Sequence, residues 1–392
     1  MTINNEHKKL NVPNLRFPEF QGEWDKCKFR DVCSISTGNK NTQDKIDDGI
    51  YPFYVRSQTV ERINSWTFDG EAILTAGDGV GVGKVFHHTY GKIGVHQRVY
   101  ILSDFKCDAN YLFHFFSSKF YNRVKRMSAK NSVDSVRKEM ITDMPLSLPS
   151  HQEQVKIGYL LSLLDERIAT QSKIIDKLQS LIKGLEDNLL DNPLWEKTYL
   201  RSFMQFFSTN SLSWEQLSYK EGAIRNLHYG LIHGFQTRGI NSASLPMIKN
   251  EAIPKQYTLC QVGDVAFADA SEDTGEIAKS VEFVDTIEGD TICGLHTIHG
   301  RDIKNRTVVG FKGFAFNSRY FHNQIKRLAQ GTKVFSITAN NLSSCYVYLP
   351  DLEKQKAIVK LLRSYEEQLI IGRMILKQYE KQKQYLLRQM FI

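Results

Sequence analysis

No stretch of this 392-residue chain reaches the roughly 18 apolar residues that a membrane-spanning helix needs. Met1 to Leu10 is polar where a signal peptide would be apolar, so the chain is expected in the cytoplasm with no membrane partner. Cysteine is sparse. Cys27, Cys33, Cys107, Cys260, Cys293 and Cys345 form no CxxC pair and have no histidine at ligand spacing, so they read as reduced thiols and no metal is expected.

Catalytic signatures are missing as well. Gly77-Asp78-Gly79-Val80-Gly81-Val82-Gly83-Lys84 approaches a phosphate loop, but Asp78 replaces its first glycine and Val85 stands where Ser or Thr is required. The same string fails the dinucleotide pattern, with Val82 or Lys84 at the third glycine. Asn192-Pro193-Leu194-Trp195 lacks the second proline of an adenine methyltransferase loop, and Pro350-Asp351-x-Glu353-Lys354 is too compressed for a nuclease carboxylate set. No HExxH, zinc-deaminase or Gly-x-Ser-x-Gly arrangement occurs. The sequence therefore predicts no catalytic residue and no cofactor of its own.

What is present is a globular composition, 41% hydrophobic and 24% charged, long enough for two domains. A formal charge of +8 favours a polyanionic partner, because lysine and arginine displace counterions from phosphate.

The chain also repeats itself. Leu148-Pro149 recurs as Leu349-Pro350, an offset of 201 that carries Gln154 to Gln355, Ile157 to Ile358 and Leu160-Leu161 to Leu361-Leu362 without a gap. Upstream it carries Lys125-Arg126 to Lys326-Arg327, Asn122 to Asn323, Phe115 to Phe316, and Ser132-Val133 through Val136 to Lys333-Val334 through Ile337. With small slips, Gly94-x-His96 matches Gly294-x-His296 and Trp24 matches Trp214. Two such units in tandem imply pseudo-twofold symmetry, as in a fused homodimer.

After each Leu-Pro a heptad pattern begins. Ile157, Leu161, Leu164, Ile168, Ile175, Leu178, Ile182, Leu185 and Leu189 alternate steps of 4 and 3 across one polar gap, Gln171. The partner stripe is Ile358, Leu362, Tyr365, Leu369, Leu376, Tyr379, Leu386 and Met390, with Gly372 at the position of Gln171 and Lys383 as a second interruption. Ser150 and Asp351 are the predicted N-caps, and Asp191-Asn192-Pro193 stops the first helix. Helices of about 40 residues span roughly 60 Å. Antiparallel pairing is expected, which would place the two globular units at opposite ends of a rod; the alternative is that each helix packs on its own domain.

The fold class predicted is mixed α/β (α+β). Residues 1–148 form one recognition domain, 149–192 a central spacer helix, 193–349 a second recognition domain and 350–392 a C-terminal spacer helix, the two helices forming an antiparallel coiled coil. Strands are expected at Tyr51–Val55, Ala72–Thr75, Lys84–Phe86 and Val99–Leu102, then a helix from Ala109 to Met127. The second unit repeats this with strands near Val265–Ala268, Lys279–Val284 and Thr307–Phe311 and a helix near Ser318–Ala329. Polar and basic side chains punctuate the glycine-rich loops: Arg56, Gln58, Lys84, His87, His88, Gln97 and Arg98 in the first unit, and His228, His233, Arg238, Lys279, Arg301, Lys304 and Arg306 in the second. Such groups suit base-edge and phosphate contacts with double-stranded DNA, although any one of them can equally be a solvated surface charge. His96 and His296, equivalent in the repeat, read as hydrogen-bonded packing residues on strands.

Three stretches carry a resemblance to a known family. They are Leu15-Arg16-Phe17-Pro18-x-Phe20-x-Gly22-x-Trp24 ahead of the first unit, Leu148-Pro149 with Gln152-Glu153-Gln154, and the degenerate Leu349-Pro350-x-x-Glu353-Lys354-Gln355. In this duplicated arrangement the chain resembles the specificity (S) subunits of Type I restriction-modification systems over nearly its whole length. The second copy has Lys354 where Glu153 stands and lacks an Arg-Phe-Pro lead-in. The resemblance implies that each domain reads one half of a split target and that the helices space the halves and dock two methyltransferase (M) subunits. Restriction (R) subunits would join through those, with S-adenosylmethionine, ATP and magnesium held by the partners. Two other readings stay open: a stand-alone sequence-specific DNA-binding regulator, and an enzyme whose site lies in the glycine loop.

Overall fold

The computed structural model describes residues 10–127, 135–235, 238–285 and 289–392. It divides into two units, Met1–Ser172 with Ile375–Ile392, and Lys173–Met374, so each unit contains part of both long helices.

The first unit is built on β1 (Asp25–Lys28), β2 (Ser34–Thr37), β3 (Tyr51–Tyr54), β4 (Glu61–Ile63), β5 (Phe68–Ala76), β6 (Phe86–Val95), β7 (Val99–Ser103) and β8 (Pro145–Leu148). Six of them form a sheet ordered β2-β7-β5-β6-β3-β4, with β3 and β6 parallel and the other pairs antiparallel. β5 lies between β6 and β7, which is why Ala72 to Ala76 are buried without alternation. The helix Ala109–Met127 lays Leu112, Phe115, Phe116, Phe120 and Val124 against this sheet at helical spacing. Trp24, Phe29, Ile157 and Leu161 complete that core together with Met390 and Phe391, which follow the second long helix.

The second unit repeats the plan with β9 (Glu196–Tyr199), β10 (Met204–Phe207), β11 (Ile224–Leu227), β12 (Val265–Ala268), β13 (Ser280–Phe283), β14 (Asp290–Cys293), β15 (Thr297–Asp302) and β16 (Tyr346–Leu349). One sheet runs β10-β15-β12-β13 to Gly239–Ile240, and another joins Leu217–Ser218, Met247–Ile248, β11 and β14. Where β6 serves both β5 and β3, the second unit uses two strands: β13 pairs with β12 and β14 runs parallel to β11.

Ladder register refines the repeat. Asp25 faces Leu148 as Glu196 faces Leu349, so the counterpart of Trp24 is Trp195, packed on its own core, and not Trp214. Val95 pairs with Tyr54 as Cys293 pairs with Leu227, which aligns His96 with Gly294 and removes the equivalence of His96 and His296. Neither histidine lies within a named strand: His96 makes an isolated bridge to Lys40, and His296 sits in a turn with φ of 54°. The strand expected at Lys84–Phe86 starts at Phe86 and runs ten residues, passing Gly91 because Gly91 faces Gly70 and both adopt positive φ. The strand expected at Thr307–Phe311 is instead a turn and the start of the helix Phe311–Ala315. Asp302 accepts hydrogen bonds from the backbone N–H groups of Lys304 and Thr307, and Gly310 is left-handed at φ 93°. The repeat positions Ser132 and Val133 lie outside the described residues.

The long helices are His151–Leu190 and Leu352–Gln389. Glu153 N–H donates to Ser150 Oγ (3.4 Å) and Lys354 N–H to the Asp351 carboxylate (2.8 Å), so both predicted caps are in place. The helices pack together as an antiparallel pair. In the first unit the opening half of one meets the closing half of the other, through the Lys383–Asp165 ion pair and Arg167 over the Tyr379 ring (6.0 Å). In the second unit Leu185, Leu189 and Leu190 share a core with Ile358, Val359 and Leu362. Ile157, Leu161, Ile358 and Leu362 thus serve the globular cores as well as the helix stripe.

Two ionic contacts fix this packing. Arg16 makes a two-pronged bond to Glu153 (2.8 Å each); the glutamate is fully buried and the arginine side chain 17% exposed. Both partners are missing together in the second copy, where Lys354 pairs locally with Asp351. Arg16→Ala strands a buried carboxylate and is expected to cost about 3 kcal/mol, lowering Tm, with partial recovery in Arg16→Ala/Glu153→Leu.

In the second unit Arg238 lies between Glu186 (3.4 Å) of the first long helix and Glu366 of the second, whose carboxylate accepts the Arg238 backbone N–H (3.3 Å). Burial pushes Glu366 from 4.5 up to about 7. A carboxyl raised on folding contributes stability below its unfolded value and loses it as pH rises through the folded one. Glu366→Gln should therefore match the parent near pH 4.5 and exceed it by up to roughly 3 kcal/mol at pH 8, read as Tm against pH.

Candidate nucleic-acid interface

The ends of β3, β5 and β6 in the first unit converge on one carboxylate. Arg56, just past β3, donates from Nη1 to Asp78 (2.8 Å), and Arg98 Nε stands 3.7 Å from the same side chain. Gln97 donates to Asn41 Oδ1 (2.7 Å), and His96 Nδ1 accepts the Arg98 backbone N–H (3.0 Å). These groups line an open depression of about 430 Å³ with Asn41, Thr42 and Gln43. Burial and the neighbouring Arg56 hold His96 below its usual value, so it is neutral near pH 7 and can accept there.

The remaining candidates of this unit sit on the loops that follow β3 and β5 and at the start of β6. His87 contacts the Ser57 carbonyl (3.2 Å) and packs edge-on to Tyr54, and burial holds its pKa down. Gln58 Nε2 reaches the Phe86 carbonyl only at 3.5 Å. Lys84 lies over the Tyr121 ring (5.6 Å), and His88 pairs with Glu71 (3.0 Å).

The second unit places different chemistry at the matching strand ends. His228 follows β11 as residue 55 follows β3; its Nδ1 accepts the Gly230 N–H (3.2 Å) and its ring lies tilted against both Trp214 (centroids 4.4 Å apart) and Tyr229 (4.7 Å). His296 precedes β15 as Arg98 precedes β7, and it pairs with Asp269 (3.0 Å). Trp214 is 46% exposed, so this aromatic cluster reaches the surface. His233 and Lys279 share Glu276 nearby.

Other candidates lie elsewhere. Arg238 belongs to the helix contact described above. Arg301, Lys304 and Arg306 are at the opposite end of β15 from His296. Arg306 pairs with Glu196 (2.6 Å), and its carbonyl accepts a bond from Gln355 (3.0 Å). Lys304 is exposed in the turn closed by Asp302. Arg301 grips the buried Asp264 with two bonds, Nε to Oδ1 (2.8 Å) and Nη2 to Oδ2 (2.7 Å), and His299 Nε2 meets the same Oδ2 (2.7 Å).

Sequence reading missed several participants. Asp78 registered only as a spoiled phosphate-loop glycine, Trp214 only as a repeat counterpart of Trp24 that the ladder register does not support, and Tyr229 carried no pattern of its own. The scatter of cysteines also concealed a cluster: Cys260, Cys293 and His299 bring donor atoms within 4.8 Å of one another in the core, with the sulfurs 3.6 Å apart. A hydrogen bond from Cys260 and burial push the Cys293 thiol up, and tetrahedral zinc takes four ligands where this group offers three. Burial raises Cys33, Cys107 and Cys345 to about 12, which keeps them as thiols.

A structural cation and a surface one can be separated by substitution. Arg301→Ala leaves Asp264, 1% exposed, without its guanidinium and is expected to cost about 3 kcal/mol in thermal unfolding. Arg98→Ala, at a side chain 67% exposed, should change stability by less than about 0.5 kcal/mol.

With this geometry in view, comparisons with known proteins converge. The Type I restriction modification DNA specificity domain family matches residues 21–180 and 296–381. The chain is 26% identical over 168 residues to the Type I restriction enzyme EcoDI specificity subunit of Escherichia coli, covering 43% of this chain and 37% of that one. It is 25% identical over 415 aligned residues to the MjaVIII specificity subunit of Methanocaldococcus jannaschii, covering 98% and 95%. The crystal structure of a Type-I restriction-modification S subunit from M. genitalium superposes with a TM-score of 0.66 at 14% identity, covering 97% of this chain and 99% of that chain.

Proposed function

The chain belongs to the Type I restriction modification DNA specificity domain family, and from that membership we propose that each unit reads one half of a split double-stranded DNA target. The observation that carries this reading is one scaffold built twice with different side chains at its matching ends: Arg56, Gln97 and Arg98 in the first unit, and His228, His296 and the exposed Trp214 in the second. A shared frame with exchanged loop chemistry suits two base sequences read by one architecture.

Gln58, Lys84, His87, His233 and Lys279 complete the proposed DNA-facing set, while Arg238, Arg301 and Arg306 act within the fold. The subunit is proposed to be non-catalytic. The long helix pair would dock two methyltransferase subunits, with restriction subunits joining through them. S-adenosylmethionine, ATP and magnesium would belong to those partners, and the complex would work in the cytoplasm. A stand-alone DNA-binding regulator would bind the same DNA without an enzyme.

Co-expression with the cognate methyltransferase subunit tests the reading. Expected are co-purification and adenine methylation at one bipartite sequence, mapped genome-wide. Exchange of first-unit loops 55–58 and 97–98 should alter one half only. Tight sequence-specific binding by the chain alone, with neither co-purification nor methylation, would favour the regulator.

A further inference from the structure

The glycine string that fails as a phosphate loop has a defined shape. It leaves β5 at Ala76 and returns as β6 at Phe86, turning through residues 80–84. Val82 N–H donates to the Gly79 carbonyl (3.1 Å) and Val85 N–H to that of Gly81 (2.9 Å). Gly79 and Gly83 adopt φ of 73° and 65°, and a Cβ on Gly81 would stand 2.4 Å from the Arg56 carbonyl oxygen. The loop is therefore pinned against the Arg56 strand end, with Val82 buried beneath it. Its tip is Val80, 97% exposed, beside the two arginines that share Asp78.

A single exposed valine is ordinary on a protein surface. The other unit shows what sets this one apart. There the loop between β12 and β13 turns through residues 274–278, and Glu276 N–H donates to the Asp273 carbonyl (3.0 Å) as Val82 donates to Gly79. Gly275 stands where Gly81 does, and Thr274 where Val80 does, each tip six residues before the following strand opens. The frame is kept while the tip changes from Gly79-Val80 to Asp273-Thr274.

We propose that Val80 is a specificity-determining residue that packs its methyl groups on the C5-methyl of a thymine, in the major groove of the half-site read by the first unit. Only thymine offers an apolar group on that edge, and neighbouring guanidinium groups suit an adjacent guanine. This inference rests on the DNA-reading function proposed above.

The full chain in complex with its methyltransferase subunit is tested on duplexes carrying the methylation-mapped target, with deoxyuridine replacing each thymidine in turn. For the parent, loss of one methyl in the first half-site should weaken binding about four-fold, as burial of one such group at about 0.8 kcal/mol requires. Val80→Ala should weaken binding to the thymidine duplex by a similar factor and show no further loss on deoxyuridine at that one position. Every position in the other half should behave as in the parent, with Tm unchanged because Val80 has no packing to lose. If Val80→Ala retains the parent's sensitivity at every thymidine, or if the parent has none in that half, the proposal is overturned. Absence of any bipartite methylated target in the parent overturns the underlying reading instead.

Discussion

A buried glutamine at the first turn of each long helix ties that helix to its own sheet. Gln154 donates to the Pro149 carbonyl (2.7 Å) and accepts the Asp108 backbone N–H (2.9 Å). Gln355 donates to the Pro350 carbonyl (3.0 Å) and accepts the Val308 N–H (3.0 Å). Each amide satisfies backbone groups on two elements at once, in a setting where an unmet group would cost about 1–3 kcal/mol. The direction in which each helix leaves its sheet is fixed there, and the apolar stripe beyond begins from that angle.

Around this shared joint the two copies have drifted in compensating sets. The first uses Arg16 on Glu153, and the second has replaced that pair by a local cap on Lys354. Conversely, Asp264, His299 and Arg301 form a polar knot where the register of the first unit places Ala72, Ile101 and Ser103. Buried ionic groups are tolerated only in company, and each set is present or absent as a whole.

Much of the architecture was legible because periodicity and repetition leave marks in one dimension. The 201-residue offset located both Leu-Pro joints, and the helix Ala109–Met127 has the bounds its pattern implies. The unread portion depends on pairing between distant strands. Trp195 was hidden because the repeat offset changes upstream, and the ladder, not similarity of residue, decides the match. Thr307–Phe311 has strand-like composition, yet Asp302 and Gly310 bend it. At the candidate interface, loop composition singled out Arg56, Gln97 and Arg98, which the structure brings to one depression, while the carboxylate that gathers the arginines looked only like a defect in a motif. Arg301 was misleading for the opposite reason, since a cation in a loop-rich stretch gives no sign of a buried acid across a sheet.

That gathering carboxylate bears on how the protein would search a genome. Asp78 offsets part of the charge of two arginines and hydrogen-bonds Arg56 in advance, so the patch would release fewer counterions on arbitrary sequence. Arg56, already hydrogen-bonded, would then have less rotamer freedom to lose when a correct base edge arrives. Residence on random DNA would be shortened, and the difference in dwell time between right and wrong sites would widen without any extra contact.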